Sequence, residues 1–151
     1  MHRPTRSLII AAAGLAAVMM LAARSAAAAD NSSFLSQAVP ESISAGSRIS
    51  VSLTFMNTGT NAWTVAGGYV LGCPNPADGG TWQVDSVALP SPVPAGSSVT
   101  FTFRINAPMT PGTYNFQWQL ESGTTFFGAK STTVPVKVVA RTVSTASAGR
   151  F

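Results

Sequence analysis

The chain has 151 residues, of which 46% are hydrophobic and only 9% charged, with a formal net charge of +4. Three of its nine Lys and Arg residues (Arg3, Arg6, Arg24) precede Asp30, so beyond that point six basic side chains face five acidic ones, with no basic cluster to neutralise a phosphate backbone. Composition therefore argues against nucleic acid as a partner. The single histidine, His2, and the single cysteine, Cys73, leave the rest of the chain no imidazole for a nucleophilic pair or a histidine metal site, and no intramolecular disulfide.

The first segment reads as a targeting signal. Arg3 and Arg6 in MHRPTRS are followed by the apolar run LIIAAAGLAAVMMLAA and then by small residues in AAAAD, the order of a secretory signal peptide over residues 1–29 with cleavage after Ala29. A retained membrane anchor is the alternative, but the run from Leu8 to Ala23 is Ala-rich and falls short of the roughly 20 apolar residues of a spanning helix. The expected mature protein is secreted or periplasmic and has no stable membrane span.

Residues 31–140 form a stretch of single-domain size, followed by a polar, aperiodic tail at 141–151 expected to be flexible. A first weak strand is expected at Phe34 to Val39. RISVSLTFMN then turns Ile49, Val51, Leu53 and Phe55 to one side and Arg48, Ser50, Ser52 and Thr54 to the other, a period-two strand. Further weak strands are expected at Gly68 to Leu71 and Thr81 to Leu89. SVTFTFRINA alternates Val99, Phe101, Phe103 and Ile105 with Thr100, Thr102 and Arg104, and TYNFQWQL alternates Tyr114, Phe116, Trp118 and Leu120 with Asn115, Gln117 and Gln119. TTVPVKV closes the series with Val134, Val136 and Val138; Pro135 denies its strand one ladder donor and places that part at a sheet edge. Turn chemistry (AGS, NTGTNAW, PSPVPAGSS, APMTPG, ESG) punctuates the strands, and no 3.6-residue pattern competes. About seven strands over this length predict an all-β, immunoglobulin-like two-sheet antiparallel sandwich.

The aromatic row Tyr114, Phe116, Trp118 could be a ligand platform or a core face. Its polar alternation favours the core, because a fold without a disulfide cannot leave three large rings in water. PGTY at the start of a sandwich strand resembles a tyrosine corner, and Phe116 stands two residues later, where antibody domains place their second cysteine.

NTGTNAW, AGGYVLG, TW, ALPSPVPAGSSVTFTF and APMTPGTYNFQWQL follow one another in an order that resembles the four-tryptophan (FW) domain. This is the immunoglobulin-like module of the Next-to-Breast-Cancer-gene-one autophagy receptor, which also occurs in bacterial proteins. The resemblance spans roughly Ser47 to Val139. Trp63, Trp82 and Trp118 match three of the four tryptophans; the fourth corresponds to Leu53 or to Phe126. It implies the immunoglobulin-like fold and, from the eukaryotic members, recruitment of protein cargo.

The chemistry left to the mature chain is thin. The carboxylates Asp30, Glu41, Asp78, Asp85 and Glu121 are scattered over separate segments, with only Asp78 and Asp85 close enough in sequence to meet across a loop, and no nucleophile, metal or dinucleotide motif is present. The expectation is a protein that is not an enzyme and has no catalytic residues, metal or cofactor. Binding is the stronger reading, since sandwich loops carry recognition. The loops NTGTNAWTVAGG, GCPNPADGGTW and ESGTTFFG gather Trp63, Tyr69, Asn75, Asp78, Trp82, Phe126 and Phe127 as candidate partner contacts. The competing reading of these aromatics is that they plug the ends of the sandwich. A non-catalytic protein-interaction module of the bacterial envelope or extracellular space is the expected function, with carbohydrate binding by the loop aromatics as the alternative. A structural building block working through its edge strands or Cys73 is a third class.

Overall fold

The computed structural model describes residues 29–74 and 80–143; the expected signal peptide up to residue 28, Asn75 and Asp78 in the central loop, and the tail from 144 lie outside the described residues. The described strands in chain order are β1 (Ser32–Ala38), β2 (Ser42–Ser44), β3 (Arg48–Asn57), β4 (Tyr69–Gly72) and β5 (Ser86–Ala88). They continue with β6 (Ser98–Asn106), β7 (Gly112–Phe116), β8 (Gln119–Ser122), β9 (Thr125–Lys130) and β10 (Val134–Val139).

The strongest alternations build the first layer. β3 pairs with β6 along its length, Arg48 opposite Asn106 through Met56 opposite Ser98, and β1 pairs on the other side of β3, giving the order β1-β3-β6. Val51, Leu53, Phe55, Val99, Phe101 and Ile105 all turn inward and are buried, as the period-two reading requires. The second layer contains β2-β10-β7 and β5-β4-β8-β9. These two sets join where β7 runs on into β8 and β9 into β10: Ser131 N donates to Trp118 O (2.8 Å), and Trp118 N donates to Ser131 Oγ (2.9 Å). Among the described residues every ladder is antiparallel except the short β2–β10 pair. One apolar core lies between the layers, with Phe103 of the first edge-on to Trp118 of the second at 4.9 Å. The result is an all-β immunoglobulin-like sandwich.

Three local expectations need correction. TYNFQWQL is not one strand. The chain crosses from one set to the next at Gln117 and Trp118, and Gln119 and Leu120 are then both buried, which breaks the alternation. The Gln119 amide is satisfied there, its Nε2 donating to Gly128 O at 2.9 Å. Thr81 to Leu89 holds a helical turn at 80–82 before a strand of only Ser86–Ala88, because Trp82 is swung into the core and its Nε1 donates to Asn115 O at 3.0 Å. TTFFG, read as loop, is β9: Phe126 pairs with Glu121 and Phe127 with Leu120, followed by a bulge at Gly128 and Ala129. Gly128 adopts φ +66°, and a Cβ there would collide with the Ser32 backbone of β1, so only glycine fits.

Two finer expectations match. The Tyr114 hydroxyl donates to Thr110 O at 2.9 Å, a tyrosine corner, with Phe116 fully buried two residues later. At Pro135, β10 has β7 on one side but no β2 on the other, since β2 meets β10 only from Lys137 onward. Lys137 N donates to Glu41 O, so the Pro135 nitrogen two residues earlier faces the same, open side.

Candidate functional site

The NTGTNAW turn is organised by one side chain that carries no signal in a binary pattern. Asn57, fully buried at the end of β3, donates from Nδ2 to Asn61 O (2.8 Å) and Val93 O (3.0 Å), and its Oδ1 accepts from Gly59 N (3.1 Å). Trp63 and Val93 then exchange both backbone bonds, at 3.0 and 2.9 Å, which fixes Trp63 against the segment that leads into β6. Asp30 closes the same end: its Oδ1 accepts from Asn61 Nδ2 and from the Tyr69 hydroxyl, each at 2.8 Å. Burial, together with the Asp30 hydrogen bond and charge, pushes the Tyr69 phenol above its ordinary pKa. Asp30 and Asn57 both escaped the choice of candidate residues. The NTG sequence, an asparagine poised to bond its own turn, is the signal that points to Asn57.

The sequence-predicted residues separate into three groups. Trp63, Tyr69 and Phe127 meet: Phe127 lies edge-on to Trp63 at 5.8 Å and to Tyr69 at 5.9 Å. Trp63 has no exposed surface, Tyr69 is buried and Phe127 half-buried, so this cluster plugs the sandwich beneath the loops. Trp82 stands apart from it, also without exposed surface, packed on Tyr114 and Phe116 at 6.3 and 5.9 Å. In this conformation both tryptophans support the surface and do not form it. Asn75 and Asp78 lie outside the described residues.

Phe126 is different. As the neighbour of inward-facing Phe127 it points to the other side of β9 and keeps 37% of its surface exposed. Its cross-strand partner is Glu121; Glu121 pairs in turn with Val70, and Val70 with Ala88. These four residues form one row across the outer face of β9, β8, β4 and β5. Gly72 is what lets the ring approach the sheet there: a Cβ on Gly72 would stand 2.9 Å from the Phe126 ring and 2.5 Å from Glu121 Oε2. An aromatic ring and a carboxylate therefore rest side by side on bare backbone. The arrangement can offer apolar contact and a negative acceptor together. Among the described residues, no three His, Cys, Asp or Glu side chains gather as a metal set.

The family model described as the Ig-like domain from next to BRCA1 gene matches residues 38–138. The match covers more than half of the chain, which belongs to this family. Comparison with curated proteins finds no match.

Proposed function

Proceeding from that membership, we propose that the protein is an exported, non-catalytic interaction module of the bacterial envelope or extracellular space, which docks a protein partner on the outer face of β4, β5, β8 and β9. The family, an immunoglobulin-like one, supports protein interaction. The single observation that carries the choice of surface is Phe126, an exposed ring laid over Gly72 beside Glu121 in a domain whose other large aromatics are half-buried or buried. Exposed aromatic anchors with a polar neighbour are what protein hot spots use. Export rests on the order of charged, apolar and small residues in 1–29.

The test is capture from an envelope extract run beside a glycan array, each with the wild-type protein and with Phe126→Ala. Protein capture lost in the variant supports the module. Array hits without a protein partner would replace it by carbohydrate binding. The mass of the exported protein, with or without residues 1–29, tests processing.

A further inference from the structure

We propose that β6 is a self-pairing edge, through which two copies of this chain join their β1-β3-β6 sheets antiparallel across a two-fold axis. The inference rests on the geometry of this edge and stands apart from the Phe126 surface. β6 ends its sheet, is nine residues long, and pairs with β3 without a register shift. Natural edges of that length are blunted by bulges, proline, inward charges, brevity or rows of exposed charge, of which β6 carries a single residue, Arg104. The other edges among the described strands show such devices or are capped: β1 has a register shift between Phe34 and Ser36, β9 carries the Gly128 bulge, β2 and β5 have three residues each, and β7 has five residues with the Asn115 carbonyl bonded by Trp82 Nε1. β6 has no bulge, no proline, no inward charge and is not short.

The direction of its backbone groups is fixed by the ladder ends. Ala107 N donates to Ser47 O and Asn57 N to Ser97 O, so the odd-numbered residues of β6 bond to β3. The N–H and C=O groups of Thr100, Thr102 and Arg104 point the other way, and among the described residues no backbone bond reaches them. Their side chains are exposed.

The sequence of the strand, SVTFTFRIN, is self-complementary about Thr102. Antiparallel pairing centred there sets Thr102 opposite its copy, in a pair that exchanges both backbone bonds. Phe101 then meets Phe103 of the second copy, Val99 meets Ile105, and Thr100 meets Arg104. The strand's one charge faces a hydroxyl and never its own image. Phe103, only half-buried although it packs on Trp118, is the rim that the second strand would cover. A register shifted by one residue would set inward residues opposite outward ones and lose every one of these matches.

Sedimentation equilibrium on the purified protein, with reductant present to exclude a Cys73-linked dimer, should show a concentration-dependent monomer–dimer equilibrium. Thr102→Pro removes only an outward-facing donor, so it should weaken the dimer by about tenfold or more while leaving the circular dichroism spectrum of the monomer unchanged. Thr102→Lys, which sets like charges opposite each other on the axis, should do the same and carries the test if the proline variant fails to fold. In a Cys73→Ser background, a bifunctional thiol reagent spanning about 5 Å should join Thr102→Cys to its symmetry mate and should not join Thr100→Cys, because only the first stands opposite itself, at the wider spacing of a hydrogen-bonded pair. A protein that stays monomeric at every concentration overturns the proposal. So does a dimer indifferent to both Thr102→Pro and Thr102→Lys, or one whose Thr102→Cys form does not cross-link.

Discussion

Replacing Asn57 by alanine removes the centre of the NTGTNAW turn. The side chain makes three hydrogen bonds, to Asn61 O, Val93 O and Gly59 N, from a position without solvent exposure. The Val93 contact is buried, whereas those to Asn61 and Gly59 are partly accessible and can be replaced by water. One buried carbonyl left unpaired costs about 1–3 kcal/mol, and each replaceable bond about 0.5–1.5 kcal/mol. Together they predict a loss of about 2–6 kcal/mol, which at roughly 1 kcal/mol per molar urea lowers the unfolding midpoint by at least about 2 M. Asn57→Asp sharpens the test. It keeps the shape but turns a carboxylate oxygen toward two carbonyls, so the folded state favours the protonated acid and the folded pKa rises above the unfolded one. The variant is then penalised least below the unfolded carboxyl pKa, and its stability falls relative to wild type as pH rises through the window between the two values. Equilibrium urea unfolding of the three proteins across pH 3–7 measures both effects. A midpoint for Asn57→Ala within the error of wild type, or an aspartate variant whose deficit does not change with pH, would refute the claim that this side chain holds the turn.

Other expectations follow from the same contacts. Tyr114→Phe deletes a hydroxyl whose bond to Thr110 O is solvent-accessible, so it should cost about 0.5–1.5 kcal/mol. Phe116→Ala, at a fully buried position, should cost about 3–5 kcal/mol in urea titrations. The raised pKa of Tyr69 means that its contribution to stability is complete below pH 10.0, the ordinary phenol value, and is lost as pH rises through the folded pKa; Tyr69→Phe should flatten that alkaline decline in thermal melts. Cys73 is the only cysteine and its Sγ donates to Gln117 O at 3.8 Å, so melts of the dilute protein with and without reductant should coincide.

The parts of the fold legible in the sequence were those where one face of a strand meets core and the other meets water. β3 and β6 are of that kind, and their residues and inward faces were given by alternation alone. The corner at Tyr114 was legible because PGTY is a local signal. Legibility failed where tertiary demands override the period. Trp118 lies where the chain changes sheets, so Gln119 and Leu120 are buried together and the alternation ends without any turn residue to announce it. The core's demand for Trp82 makes a helical turn in a segment that reads as strand. For the candidate site, aromatic content could not separate Trp63 and Trp82, which are wholly buried, from Phe126, which is exposed. That separation depends on which side of β9 each ring takes and on the bare backbone at Gly72. Asp30 and Asn57 act through partners distant in the chain, such as Tyr69 and Val93, which no local pattern displays.

The central claim is that a protein partner docks on the outer sheet face and is anchored by Phe126. The most direct measurement is the dissociation constant of a captured partner for wild-type protein and for Phe126→Ala, taken with the melting temperature of each. Because the ring is partly exposed and the core does not depend on it, stability should change by less than about 1 kcal/mol, while affinity should fall by about tenfold or more. An unchanged dissociation constant, or a loss of binding seen only where the variant is unfolded, would contradict the account.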